Sequence, residues 1–153
     1  MAAALFIGRF QPLHKGHVFA AERLLQRYDS IIIAVGSINK HDEKNPFSFR
    51  ERAAMLRAAL PSPCRIIGVP DMPSDAAWAA LIQKKSRFDV IVTGNRQVQR
   101  CFTGYKTVRP NALKPKTYSA TRIRALIKQG KRWEHLVPKG AVPIIRKHYA
   151  HDL

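Results

Sequence analysis

Short apolar runs alternate with stretches of helical periodicity along most of this chain, and that alternation constrains its fold more than any single residue does. Residues 3–10 (AALFIGRF), 30–37 (SIIIAVGS), 64–69 (CRIIGV) and 88–93 (FDVIVT) are short, mostly apolar and, in the last three, rich in β-branched side chains. Each reads as a buried strand. Between the first two, residues 16–28 place Val18, Ala21, Leu24 and Leu25 at helical spacing. Ser48 and Glu51 stand three apart as a capping box ahead of a helix over 52–60. Ser74 can cap a helix carrying Trp78, Leu81 and Ile82. Strand and helix in strict turn predict an α/β chain with a mostly parallel, doubly wound sheet and right-handed crossovers. A weaker fifth strand is expected near 106–108. A small C-terminal helical part follows, with one helix over 119–129 stopped by Gly130 and another over 143–149 with its proline in the first turn.

Composition fits one globular domain over 1–153, with 46% hydrophobic and 24% charged residues. The apolar opening has no basic flank and runs straight into Gly8 and Arg9, unlike a signal peptide. No segment approaches the roughly 20 apolar residues of a membrane span. Cys64 and Cys101 stand alone, with no C-x-x-C pair and no Cys/His cluster at zinc spacing. No protein-held metal site is expected, and a reduced cytoplasmic setting follows. The formal charge is +17, from 27 Lys and Arg against 10 Asp and Glu. Such a field attracts nucleic acid, anionic membrane surface or phosphorylated small molecules. The basic residues are spread along the chain, so charge alone does not choose among these.

In a doubly wound sheet, ligands gather at the carboxyl ends of the strands, where strand order reverses. The segment Gly8-Arg9-Phe10-Gln11-Pro12-Leu13-His14-Lys15-Gly16-His17 joins the first strand to the first helix at such a place. Free backbone N–H groups and the positive end of the helix dipole favour an anion there. Two histidines three apart can each offer a ring N–H to phosphate oxygens, and Arg9 adds charge. A helix-start turn with a satisfied histidine is the alternative reading of such a pair. No G-x-x-x-x-G-K-[ST] or G-x-G-x-x-G occurs, which leaves this turn as the obvious phosphate cradle.

These residues resemble the H-x-G-H nucleotidyltransferases, and within them the archaeal-type nicotinamide-nucleotide adenylyltransferases. GRFQPLHKGH is similar to the family's opening signature, AVGS and NPFSFRERAAML to its next blocks, and VTGN and YSATRIR to its later ones, in the same order. The resemblance implies a Rossmann-like nucleotidyltransferase fold that uses ATP, with Mg²⁺ carried by the substrate, and nicotinamide mononucleotide as acceptor. It implies that His14, His17, Arg9 and Arg124 act on the phosphates. Gly8, Phe10, Gln11, Gly16, Asn95, Ser119, Thr121 and Arg122 would contact ATP, Asn95 from the TGN segment that meets adenosine. Gly36, Ser37, Arg52, Asp71 and Trp78 would lie against the acceptor, with Trp78 stacking on the nicotinamide. Homo-oligomers are common in the family. Two departures stand out: Arg122 replaces a more usual acidic residue and adds charge at the phosphate helix, and GSIN replaces GSAQ in the acceptor segment.

Other readings belong beside this one. Trp78 also fits a helical apolar face as a core tryptophan, and Trp133 reads as packing. His41, Lys40 and Lys44 lie in a loop that can close over a triphosphate or simply be solvated. Lys84, Lys85 and Arg87 suit an exposed helix end, and Cys101 has no histidine partner that makes it a nucleophile. Related transferases adenylylate nicotinate mononucleotide, or act on flavin, pantetheine, glycerol or choline phosphates. A nucleic-acid module needs a basic stripe with interleaved aromatics, which is absent, so nucleic acid is not expected as the main partner.

Overall fold

The computed structural model describes residues 2–61 and 64–150. Five parallel strands form one sheet in the order β3-β2-β1-β4-β5. They are β1 (Ala3–Gly8), β2 (Ser30–Val35), β3 (Cys64–Gly68), β4 (Val90–Val92) and β5 (Lys106–Val108). The helices are α1 (Lys15–Arg27), α2 (Phe49–Ala59), α3 (Asp75–Lys85), α4 (Arg96–Cys101), α5 (Ala120–Lys128) and α6 (Val142–Tyr149). Both faces of the sheet are covered, which is why β2 buries every residue from Ile31 to Val35. Successive residues serve opposite layers. Ala4, Phe6, Ile31, Ile33 and Val35 pack with Ala20, Leu24, Met55, Leu56, Ile123 and Ile145 from α1, α2, α5 and α6. Leu5, Ile32 and Ala34 face Ala79 and Ile82 of α3 on the other side.

Strand order places the functional region. The chain walks from β1 outward to β3, then returns across the sheet to β4 on the far flank of β1. The crevice therefore opens at the carboxyl ends of β1 and β4, between Gly8–Arg9 and the Thr93–Asn95 turn.

Several boundaries differ from the sequence reading, each for a local reason. β1 stops at Gly8 because Phe10 takes a left-handed φ of 53°, which no strand continues. β2 stops at Val35, and Ser37 likewise has φ 53°. α2 begins three residues earlier than expected: Ser48 is the N-cap, its Oγ accepting from Glu51 N and Glu51 Oε1 accepting from Ser48 N. Asn95 starts the unforeseen α4, its Oδ1 accepting from Gln97 N and Val98 N. That helix is six residues long, mostly polar and half-exposed, so it has no apolar stripe to announce it. Gly130 ends α5 with φ 68°, where glycine carries no Cβ penalty. Trp133 lies in the core beside Leu136 and Ile145.

Candidate active site

The turn after β1 is built around its two histidines. His14 is the N-cap of α1, its Nδ1 accepting from Gly16 N at 3.0 Å, and His14 N donates to His17 Nδ1 at 3.1 Å. The rings stack with centroids 3.6 Å apart, and Phe10 meets His17 edge-on at 4.7 Å. Both Nδ1 atoms accept, so in each neutral ring the proton sits on Nε2. Burial pushes the His14 pKa down to about 4. His17 is held well below its ordinary value by burial first and by His14 second. At neutral pH the pair thus offers two uncharged N–H donors. Glycine on both sides of it leaves room for the rings: a Cβ on Gly8 stands 2.8 Å from the Phe10 ring, and one on Gly16 stands 2.9 Å from the His14 ring, so either would force a ring to shift.

Side chains from distant elements pin the turn. Gln11 is buried, its Nε2 donating to Phe47 O at 3.1 Å and its Oε1 accepting from Phe47 N at 2.9 Å. Arg124 Nη1 donates to Gln11 O at 2.7 Å. Arg52 is fully buried, and its Nη1 donates to Arg9 O at 2.9 Å and Gly36 O at 2.7 Å while Nε donates to Ser48 O. Its Nη2 is buried with no partner among the described residues. Burial, then the Arg9 charge, lowers Arg52 to about 10, partly offset by Glu51. Burial and then Arg9 also lower Arg124. The Arg9 guanidinium is close enough to repel both Arg52 and Arg124, a repulsion that an anion relieves.

The remaining residues named from sequence fall into three groups. Gly8, Phe10, Gly16 and Gly36 lie at or beside the crevice, and Gly36 N donates to Gly8 O. Ser119 is the N-cap of α5, accepting from Arg122 N; Thr121 is exposed, and Arg122 Nη1 turns back to Thr117 O at 2.9 Å. Asp71 and Trp78 line a cavity of about 430 Å³ with Lys40, Asp75, Asn95 and Gln97 among its other walls. Ser37 Oγ donates to Asp71 Oδ1 at 2.8 Å, and Asn39 exchanges amide bonds with the Asp71 backbone. Lys40 Nζ lies 3.9 Å from Asp71 Oδ2 rather than over the histidines. Trp78 meets Phe102 edge-on at 5.8 Å, so it both packs and lines the cavity.

Sequence reasoning did not find the Gln11–Phe47 clasp, the backbone-bracing bonds of Arg52, or Asp75 and Gln97 as cavity walls. Asp75 had a signal, since it follows the Ser74 cap one turn from Trp78. Among the described residues no three His, Cys, Asp or Glu side chains stand together as metal ligands.

Comparison with known proteins agrees with this geometry. The cytidylyltransferase-like family model matches residues 5–126. Nicotinamide-nucleotide adenylyltransferase of Pyrococcus horikoshii is 40% identical over 156 residues, covering 96% of this chain and 84% of its own length. The protein of the same name from Pyrobaculum arsenaticum is 38% identical, covering 96% and 89%. A solved structure of a bifunctional NMN adenylyltransferase/ADP ribose pyrophosphatase from Francisella tularensis, complexed with AMP and Mn ion, superposes with a TM-score of 0.77 at 27% identity. It matches 89% of this chain, which spans 44% of that longer one. With a family model over most of its length and relatives at this identity, the chain belongs to the cytidylyltransferase-like family and, within it, to the nicotinamide-nucleotide adenylyltransferases.

Proposed function

We propose that this protein transfers AMP from ATP to the 5′-phosphate of nicotinamide mononucleotide, giving NAD and pyrophosphate. One observation carries the reading: Arg9, Arg52 and Arg124 converge on a turn whose two histidines are neutral Nε2–H donors, at the point where strand order reverses. Adenylyl transfer needs positioning and charge stabilisation rather than an enzyme nucleophile. The acceptor phosphate oxygen attacks the α-phosphorus in line; the new P–O bond forms as the bond to the β-phosphate oxygen breaks and pyrophosphate departs. His14 and His17 donate to oxygens that gain charge in that transition state, and Arg9 and Arg124 neutralise the phosphates. Ser119 and Thr121, with the N–H groups that open α5, receive the phosphate tail, and Asn95 lies toward the adenosine.

Mg²⁺ would arrive with the ATP substrate and would neutralise charge that develops on its phosphates. Both Nδ1 atoms accept from backbone N–H groups, which suits the histidines to phosphate contact through Nε2–H. Ser37, Gly36, Asp71 and Trp78 form the acceptor side. The reading carries with it one domain over 1–153, a cytoplasmic setting and a closed homo-oligomer, supported by the family resemblance. No helix among the described residues is long and apolar enough to cross a membrane.

The test is pyrophosphate release from ATP and Mg²⁺ against a panel of phosphorylated acceptors, with wild type beside His17→Ala. Release that requires nicotinamide mononucleotide, yields NAD and falls at least a hundredfold in the variant is expected, the loss of transition-state donors being worth roughly that much. Release with another acceptor alone overturns the substrate, and none with any acceptor overturns the reaction.

A further inference from the structure

The cavity beside Trp78 is acid-lined in a chain of formal charge +17. Its two carboxylates are not equivalent. Asp71 accepts from Ser37 Oγ and has Lys40 Nζ at 3.9 Å, which offsets its charge. Asp75 meets only an amide, Gln97 Nε2 donating to its Oδ2 at 3.2 Å, and no cation stands within ion-pair distance among the described residues. Counted formally, one lysine and two aspartates leave the three charged walls with a net charge of one negative.

We propose that Asp75 is a specificity-determining residue of the acceptor site, its uncompensated carboxylate beside Trp78 selecting a pyridinium nucleotide that bears a neutral amide over one that bears a carboxylate. This rests on the acceptor reading given above. The ring of the amidated nucleotide is a fixed cation, which the indole face attracts and a nearby carboxylate favours. The deamidated nucleotide carries the same cation plus a ring carboxylate, which a lone aspartate repels. Position on the helix sharpens the effect. Asp75 opens α3, whose amino-terminal dipole by itself would welcome an anion into the cavity, and the carboxylate opposes that field. The Cys101 thiol on the same wall is pushed up by burial and secondarily by Asp75, so the field of this carboxylate reaches across the cavity lining. One unit charge about 6 Å from another at an effective dielectric of about 40, as suits an open cavity, corresponds to a factor of about ten in selectivity.

The experiment compares wild type, Asp75→Asn and Asp75→Glu by two readouts. One is kcat/KM for nicotinamide and nicotinate mononucleotides at saturating ATP and Mg²⁺; the other is quenching of tryptophan fluorescence by each mononucleotide without ATP. Wild type is expected to favour the amidated nucleotide in both. Asp75→Asn should contract that preference about tenfold through KM and Kd rather than kcat, and Asp75→Glu should restore most of it. An unchanged preference in Asp75→Asn, tighter binding of the deamidated nucleotide by wild type, or the same contraction in Asp75→Glu overturns the proposal. Quenching that follows the expected pattern while neither nucleotide is converted keeps the selectivity and overturns adenylyl transfer, so the two failures are told apart.

Discussion

Replacing His14 by asparagine should remove a pH dependence from stability while leaving the helix cap in place. In the folded chain His14 Nδ1 accepts from Gly16 N, and burial lowers its pKa from 6.5 to about 4. A group whose folded pKa is depressed favours the native state fully above its unfolded value. That contribution is lost as pH falls from 6.5 toward 4, because the unfolded chain takes up the proton first. Between pH 7.5 and 4.5 the difference integrates to about 2.5 kcal/mol. Asparagine is itself a strong N-cap whose Oδ1 can stand in for Nδ1, and it does not titrate in this range. Urea unfolding of wild type and His14→Asn at pH 7.5, 6.0 and 4.5 makes the comparison. Wild type should lose about 2.5 kcal/mol more than the variant over that interval, the gap opening below pH 6.5. Parallel losses in the two proteins would mean that the stacked ring pair accepts a proton without cost, and the account of His14 as a neutral donor would fail with it.

Two further perturbations probe the same turn. Gln11→Ala leaves the buried N–H and C=O of Phe47 without partners, and should cost about 2–4 kcal/mol by urea unfolding; a loss under about 0.5 kcal/mol would show that water takes over both groups. Gly16→Ala puts a Cβ 2.9 Å from the His14 ring. It should lower the thermal midpoint and depress kcat with little change in ATP affinity, and a kcat at the wild-type level would refute the idea that the ring position matters.

The strand-helix alternation carried the fold because its information is local. A buried parallel strand needs an unbroken apolar run, and its two faces need no separate signal, since every residue of β2 finds a core. The same locality found the Ser48–Glu51 box and the Ser74 cap, which are patterns spanning three residues. What stayed hidden is non-local. The partners of Gln11 lie 36 residues away and one partner of Arg52 lies 43 away, and no periodicity links them. The sequence suggested Arg52 as a ligand; its Nη1 and Nε brace three carbonyls, leaving Nη2 alone without a protein partner. Asn95 was read as an adenosine contact, and its side chain also caps α4, a helix too short and too polar to be seen by pattern.

The turn follows β1, yet the Arg124 to Gln11 bond that braces it spans 113 residues. During synthesis the turn therefore cannot be finished when its own residues emerge; it waits for α5, after the fifth strand has already been made. A chain interrupted between β5 and α5 has every strand of the sheet and none of this closure. Closure of the turn in this architecture thus requires the chain through residue 124, the whole sheet included.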